Sequence, residues 1–326
     1  MLSYTIFGES HGPAIGVTLT GVPPGLALDG DFIAAEMARR APGNSPLATA
    51  RKEADAPRIL SGVFEGKTTG APLCAVIENT NTRSGDYADL RACPRPSHGD
   101  YAGFVASRGC LDYRGGGHFS GRLTAPLVFA GAVAKQLLRQ RGAMVSARIS
   151  MVGGVQDPSP EEMEAVILAA KSDLDSVGGS IACEVTGLPA GLGAPDLGCN
   201  VEGIFARHLF AVPAVKGIAF GAGFRLAHMR GSEANDPFYM DGDTVRTRTN
   251  HAGGVNGGIT NGMPVSFEVV IRPTPSIARE QDTVNLCTGE DCKLTIHGRH
   301  DPCILPRALV VVEAAAALAA CEAWGI

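Results

Sequence analysis

Two stretches of this 326-residue chain, Ala125 to Arg141 and Leu305 to Trp324, are alanine-rich and apolar on nearly every side. A helix without a polar face has to be covered all round, so both predict buried helices lying between other layers. Met263 to Ile271 alternates instead, with Val265, Phe267, Val269 and Ile271 on one face and Ser266, Glu268 and Val270 on the other. That period predicts a strand packed on one side. Ser180 to Thr186 and Ala143 to Val152 read as weaker strands of the same kind. Ser159-Pro160-Glu161-Glu162 is a capping box with proline at the first helical position, which predicts a helix to about Lys171. A shorter helix is expected over Asp31 to Arg40, stopped by Ala41-Pro42-Gly43. Strands and helices do not alternate steadily enough for a parallel sheet. The expectation is an α+β fold with a central layer of helices between antiparallel sheets, in one domain over residues 1–326, because no linker or charge run divides the chain.

Composition narrows the function. At 45% hydrophobic the chain can bury a large core, and its formal net charge of −5 argues against nucleic acid as a partner. Its arginines are scattered beside glycine or proline and read as ligands for small anions. The nine cysteines are odd in number and form no CxxC pair, so most are expected to be reduced thiols in the core. Met1 to Gly8 carries no basic leader, and no stretch approaches the roughly 18 uninterrupted apolar residues of a membrane span. A soluble, cytoplasmic protein without membrane contacts is expected.

The chemistry concentrates in glycine-rich loops. In Asp112-Tyr113-Arg114-Gly115-Gly116-Gly117-His118-Phe119-Ser120-Gly121-Arg122, bare amides and two arginines precede an apolar helix, with Thr124 as its candidate cap. Glycine permits positive φ and close approach, while amides, guanidiniums and a helix N-terminus attract phosphate or carboxylate. The plain alternative is a flexible turn with solvated arginines. Gly8-Glu9-Ser10-His11-Gly12 and Arg95-Pro96-Ser97-His98-Gly99-Asp100-Tyr101 each hold a histidine on a constrained loop. In Arg299-His300-Asp301-Pro302-Cys303, the aspartate could be a site residue or cap the helix that follows. A second long glycine loop, Asn250 to Gly262, leads through the alternating strand to Arg272-Pro273-Thr274-Pro275-Ser276.

Two partial motif matches fail. Gly62 to Thr68 has one residue too few between its glycines for a phosphate-binding P-loop, and Gly221 to Leu226 lacks the third glycine of a dinucleotide fingerprint. No histidine pair has helical metal-ligand spacing, and His297 and His300 sit beside basic residues, so no metal is expected.

Taken in order from residue 8 to about residue 310, these loops resemble the chorismate synthase family. Gly8 to Gly12 with Gly21-Val22-Pro23-Pro24-Gly25 is similar to the family's N-terminal signature, Arg114 to Arg122 to its central one, and Arg299 to Cys303 to its C-terminal one. Ser61 to Gly66, Arg95 to His98, Pro213 to Gly217 and Asn250 to Gly254 add further matches.

The resemblance implies conversion of 5-enolpyruvylshikimate 3-phosphate to chorismate by 1,4-elimination of phosphate, with reduced FMN (FMNH2) required although no net redox change occurs. It implies a β-α-β sandwich and a homotetramer. It carries catalytic roles to His11, as acid for the leaving phosphate, to His98, beside the reduced flavin, and to Asp301, assisting proton removal at the flavin N5. Substrate positions fall on Ser10, Arg40, Arg95, Arg114, Arg122 and Arg299. Cofactor positions fall on His118, Phe119, Ser120, Ala214, Gly257, Arg272, Pro273, Thr274, Pro275, Ser276 and Arg299. With no module to reduce flavin from NADPH, an external flavin reductase is implied.

Three positions depart from the family's pattern. His118 stands for the usual arginine, Arg272 for a lysine, and Pro46 for a substrate-binding arginine that Arg51 could replace. A related flavin- or phosphate-dependent lyase, or a flavin-binding protein without catalysis, are the rival readings, and intact His11, His98 and Asp301 weigh against loss of activity.

Overall fold

The computed structural model describes residues 1–41, 55–80, 90–196, 198–296 and 301–326. One antiparallel sheet has the order β1-β2-β6-β3, formed by Ser3–Gly8 (β1), Ala14–Thr20 (β2), Arg58–Ser61 (β3) and Leu73–Glu78 (β6). The other has the order β10-β15-β9-β7-β8, from Met144–Val152 (β7), Val155–Gln156 (β8), Gly179–Thr186 (β9), Val215–Phe220 (β10) and Val265–Ile271 (β15). Four hairpins decorate them: Val63–Phe64 with Lys67–Thr68 (β4, β5), Phe238–Asp241 with Thr244–Thr247 (β11, β12), Val255–Asn256 with Ile259–Thr260 (β13, β14), and Gln281–Asn285 with Glu290–Leu294 (β16, β17). The helices are Gly30–Arg40 (α1), Asp100–Ala106 (α2), Thr124–Gln140 (α3), Pro160–Ser172 (α4), Val201–Phe210 (α5), Gly231–Ala234 (α6) and Leu305–Ala323 (α7).

The two apolar helices form the middle of a sandwich. α3 lies against β2 and β6, α7 lies against β7 and β9, and the two helices pack on each other. They approach so closely at Gly131 that a Cβ there would stand 2.2 Å from the Cβ of Ala314. Strand periodicity supplies the covering faces. Ile15, Val17 and Leu19 of β2 pair with Ile77, Ala75 and Leu73 of β6, and all six are buried. On the other side Val265, Phe267 and Val269 pair with Val185, Cys183 and Ile181 in the same way. Full burial of one such side chain stabilises by about 1.5–3 kcal/mol.

Two buried charges, Lys135 and Glu313, interrupt the apolar helices. Lys135 of α3 is buried against Glu36 of α1 and Glu313 of α7, and Arg39 reaches Glu313 through both guanidinium nitrogens at 2.7 and 2.8 Å. Buried charges persist only when paired, and here the pairing ties three helices together.

The expected elements form with small shifts at their ends, and the capping box at Ser159 is present. Gly62 to Thr68 contains the β4–β5 hairpin, and Gly223–His228 is a 3-10 turn. The cysteines correct expectation. Only Cys183, Cys303 and Cys321 are buried, while Cys110, Cys199 and Cys287 are exposed. Cys74 sits in an apolar run, but the two-residue period of β6 turns it away from the helices. Among the described residues no helix is long and apolar enough to cross a membrane, and no group of His, Cys, Asp and Glu is placed to hold a metal.

Candidate active site

The three glycines fold with φ of 59°, 83° and 52°, a path that side chains rarely follow. What approaches them is the protein itself. A Cβ on Gly115 would lie 2.5 Å from Nε2 of His11 and 3.0 Å from Oγ of Ser10; one on Gly116 would lie 2.9 Å from Cε1 and 3.2 Å from Nε2 of His98. The run therefore serves as a partition onto which both histidine rings fit, one against each of two successive residues.

Each histidine is held differently. The His11 loop joins β1 to β2, and its backbone is fixed: the Ser10 amide donates to the Gly117 carbonyl at 3.1 Å, and Asn79 Nδ2 donates to the carbonyls of Glu9 and Gly12 at 3.0 and 2.9 Å. Ser10 and His11 are both buried. His98 is held by its ring, with Nδ1 2.6 Å from Oδ1 of Asp100 in the first turn of α2. Burial alone would raise the Asp100 carboxyl pKa, but hydrogen bonds from Arg95 and His98 outweigh it and hold the group well below the usual carboxylate range. An ionised Asp100 can only accept, so His98 carries its proton on Nδ1 and presents Nε2 to the glycine run. Arg95 donates to both Asp100 oxygens, through Nε at 2.7 Å and Nη2 at 2.8 Å, and reaches Ser276 Oγ at 3.1 Å.

The two arginines that bracket the run part company. Arg114 is 42% exposed and held by Asp112, whose carboxyl it keeps below the usual range. Arg122 is buried and bridged to Arg40 by Asp55, whose Oδ1 accepts from Arg122 and Oδ2 from Arg40. Arg40 also donates from Nε to Thr124 Oγ1 at 3.1 Å, and Arg122 from Nε to Asn79 Oδ1 at 3.1 Å. Burial, reinforced by neighbouring Arg307, lowers the Arg40 pKa to about 10. Thr124 thus binds an arginine instead of capping α3, which is entered through a short 3-10 turn, Gly121–Leu123, capped by Ser120.

Asp301 does not cap α7 either. Its Oδ2 accepts from Arg307 Nη1 at 2.5 Å, Arg307 Nε donates to the Arg40 carbonyl at 3.1 Å, and the Asp301 carbonyl accepts from Thr274 Oγ1 at 3.0 Å. A continuous set of contacts consequently runs from the His11 loop through Asn79, Arg122, Asp55, Arg40 and Arg307 to Asp301. Arg299, Pro46, Arg51, His297 and His300 lie outside the described residues.

Of the expected flavin positions, several converge beside His98. Phe119 is 46% exposed and covers Gly99 and Gly103, next to exposed Tyr101 and Phe104. Arg272 donates to the Ser97 carbonyl, and its amide donates to the carbonyl of Ala214, which has a φ of 73°. Pro273 and Pro275 carry the chain between Arg272, Thr274 and Ser276. An exposed aromatic surface beside a guanidinium and hydroxyls fits a planar cofactor with a phosphate tail. His118 is exposed, with Nδ1 2.9 Å from the Gly8 carbonyl. Gly257 lies elsewhere, in the β13–β14 turn, whose neighbour Gly258 accepts from the Val201 amide at 2.9 Å.

Asp55, Asn79, Asp100 and Arg307 were not singled out by sequence reasoning. Only Asp100 left a signal, two residues after a loop histidine. Cys93, two residues before Arg95, and Cys292 of β17 bring their sulfurs to 3.6 Å beside a small separate cluster of Leu90, Leu294 and Ile296.

Comparison with known proteins gives a consistent result. The family model for chorismate synthase matches residues 2–324. Chorismate synthases of Dehalococcoides mccartyi, Thermococcus gammatolerans and Chitinophaga pinensis are 44%, 46% and 49% identical, over 96% of this chain and 92%, 93% and 92% of their own lengths. A crystal structure of chorismate synthase superposes with a TM-score of 0.76 at 27% identity, covering 99% of this chain and 91% of that one.

Proposed function

This chain belongs to the chorismate synthase family, carbon–oxygen lyases of aromatic amino acid biosynthesis, and from that premise we propose how its own residues divide the work. The substrate is 5-enolpyruvylshikimate 3-phosphate. Its phosphate C–O bond and a ring C–H bond break, a new double bond forms, and phosphate and a proton leave. Reduced FMN, when bound, supplies electron density to the ring with no net oxidation.

The observation that carries this reading is the glycine run, closed on one side by His11 and on the other by His98. His11, buried beside Ser10, gives its proton to the departing phosphate. His98, with Nδ1 fixed on Asp100, offers Nε2 towards the glycine run and would control protonation of the reduced flavin when it is bound. Arg40, Arg95 and Arg122 set the positive field for a triply anionic substrate in a chain of net charge −5, with Arg114 at the exposed rim and Arg299 as a further member by family position. Asp301, its carboxylate held by Arg307, would assist removal of the proton that leaves the ring when reduced FMN is bound. By family position, His118, Phe119, Ser120, Ala214, Gly257, Arg272, Thr274 and Ser276 would hold the cofactor, and the assembly is a homotetramer. The chain works in the cytoplasm as one domain, and an external flavin reductase provides FMNH2.

The test is anaerobic mixing of the protein with substrate and chemically reduced FMN. Chorismate and equimolar phosphate are expected, with neither formed from oxidised FMN. Tight FMN binding without product would establish the non-catalytic alternative.

A further inference from the structure

Asp55 is a carboxylate with two arginines and no exposure. Its side chain is wholly buried, and its two oxygens are divided between Arg40 and Arg122. Its backbone sits at a φ of 47°, in the left-handed region that non-glycine residues seldom occupy. A side chain held in that conformation between two cations is fixed by its surroundings on both sides, and so are the cations.

The rest of each guanidinium is tied as well. Arg40 donates from Nη2 to the Gly121 carbonyl at 3.2 Å and from Nε to Thr124 at 3.1 Å. Arg122 donates from Nε to Asn79 at 3.1 Å and from Nη2 to the Glu78 carbonyl at 3.4 Å. These outer partners come from different elements, the end of β6 for Arg122 and the entry to α3 for Arg40. Among the described residues, Asp55 is the side chain that accepts from both guanidiniums. Without its charge, two buried guanidiniums, with Arg307 close to one of them, would face each other across a gap and repel.

We propose that Asp55 is a positioning residue that sets the separation and aim of the Arg40–Arg122 pair, making the two arginines act as one clamp for an anionic group of the substrate. This rests on the functional reading above, in which both arginines face the substrate, and extends it to a residue that touches neither substrate nor cofactor. A bridging carboxylate suits the task because it accepts one bond in each direction. The isosteric amide keeps only one acceptor and turns a donor towards the other arginine.

The test compares D55N, D55E, R122K and D55N/R122K in the full chain, measuring steady-state constants with reduced FMN and, separately, binding of inorganic phosphate by calorimetry. In D55N the Michaelis constant and the phosphate dissociation constant are expected to rise about tenfold or more, while kcat changes by less than about threefold. The double variant should be no worse in Michaelis constant than R122K alone, because both changes break the same unit. D55E keeps the charge with one more methylene, so it should fold and give an intermediate constant; if D55N fails to fold, this variant carries the decision. The proposal is overturned if D55N binds phosphate more tightly, which would make Asp55 a competitor for the arginines. It is equally overturned if the two changes are additive, or if the variants lose stability with an unchanged Michaelis constant. Wild-type protein that forms no chorismate would defeat the functional reading alone, since the phosphate arm still reports on the clamp.

Discussion

The two histidine loops meet the same glycine run but are built on opposite plans. The His11 loop is anchored through its carbonyls by Asn79, a residue of another strand's end that also holds Arg122. The His98 loop carries its own anchor, Asp100, only two residues along the chain and already paired with Arg95. The first histidine is thus coupled to the arginine cluster by tertiary contacts, and the second is oriented by local ones. Such a division separates what each can tolerate. A change around Asn79 is felt by both the His11 loop and Arg122, whereas a change at Asp100 acts on the His98 ring and its neighbour Arg95.

The largest effect should come from the element the two share. Gly115→Val places a branched side chain where 2.5 Å separates a Cβ from the His11 ring, at a positive φ that valine resists. Activity is expected to fall by about a thousandfold, more than the hundredfold typical of a 1 Å misplacement, read as kcat/KM with reduced FMN. Retained activity would mean the run is only a turn.

Asp100→Asn should be next, lowering kcat by about a hundredfold by freeing the His98 ring, with a smaller effect on substrate binding. It also has a pH signature. The folded carboxyl lies well below its ordinary value, so its contribution is complete above the unfolded value of about 4, declines below it and is lost only as pH passes through the lower folded value. Chemical denaturation across pH 6 to 3 should therefore show a constant gap between wild type and Asp100→Asn down to about pH 4 and a narrowing one below it. A gap that stays constant throughout would remove the ion pair from the account.

Asn79→Ala should be the mildest, about tenfold in kcat/KM, with about 1–3 kcal/mol of stability lost from unmade hydrogen bonds. Its distinguishing mark is a raised Michaelis constant alongside the lower kcat, because it loosens His11 and Arg122 together. An effect on kcat alone would separate the His11 loop from the clamp and undo the contrast drawn here.

The sequence made the sandwich legible because apolar pattern translates directly into burial. Ala125 to Arg141 had no face to give to water, and β15 alternated residue by residue, so layers and covering faces could be read before any contact was known. The motif loops were legible for a different reason: each alone could have been a turn, but together and in order they match the signatures of one family. Where local reading failed, the deciding partner was remote. Thr124 looked like a helix cap and binds Arg40. Asp301 looked equally like a cap and instead accepts from Arg307 in the first turn of α7, which is itself tied to the distant Arg40 carbonyl. The cysteines looked like core thiols, yet strand period and surface position turned most of them out.

By itself, then, the sequence determined which segments must be covered and which loops gather the glycines, histidines and arginines, because hydrophobic period and backbone permissiveness are local properties. Only the tertiary structure decided which charge meets which. Asp55 and Asn79 bear no mark along the chain, and their roles arise because β6, α1 and the entry to α3 converge where buried cations must be paired.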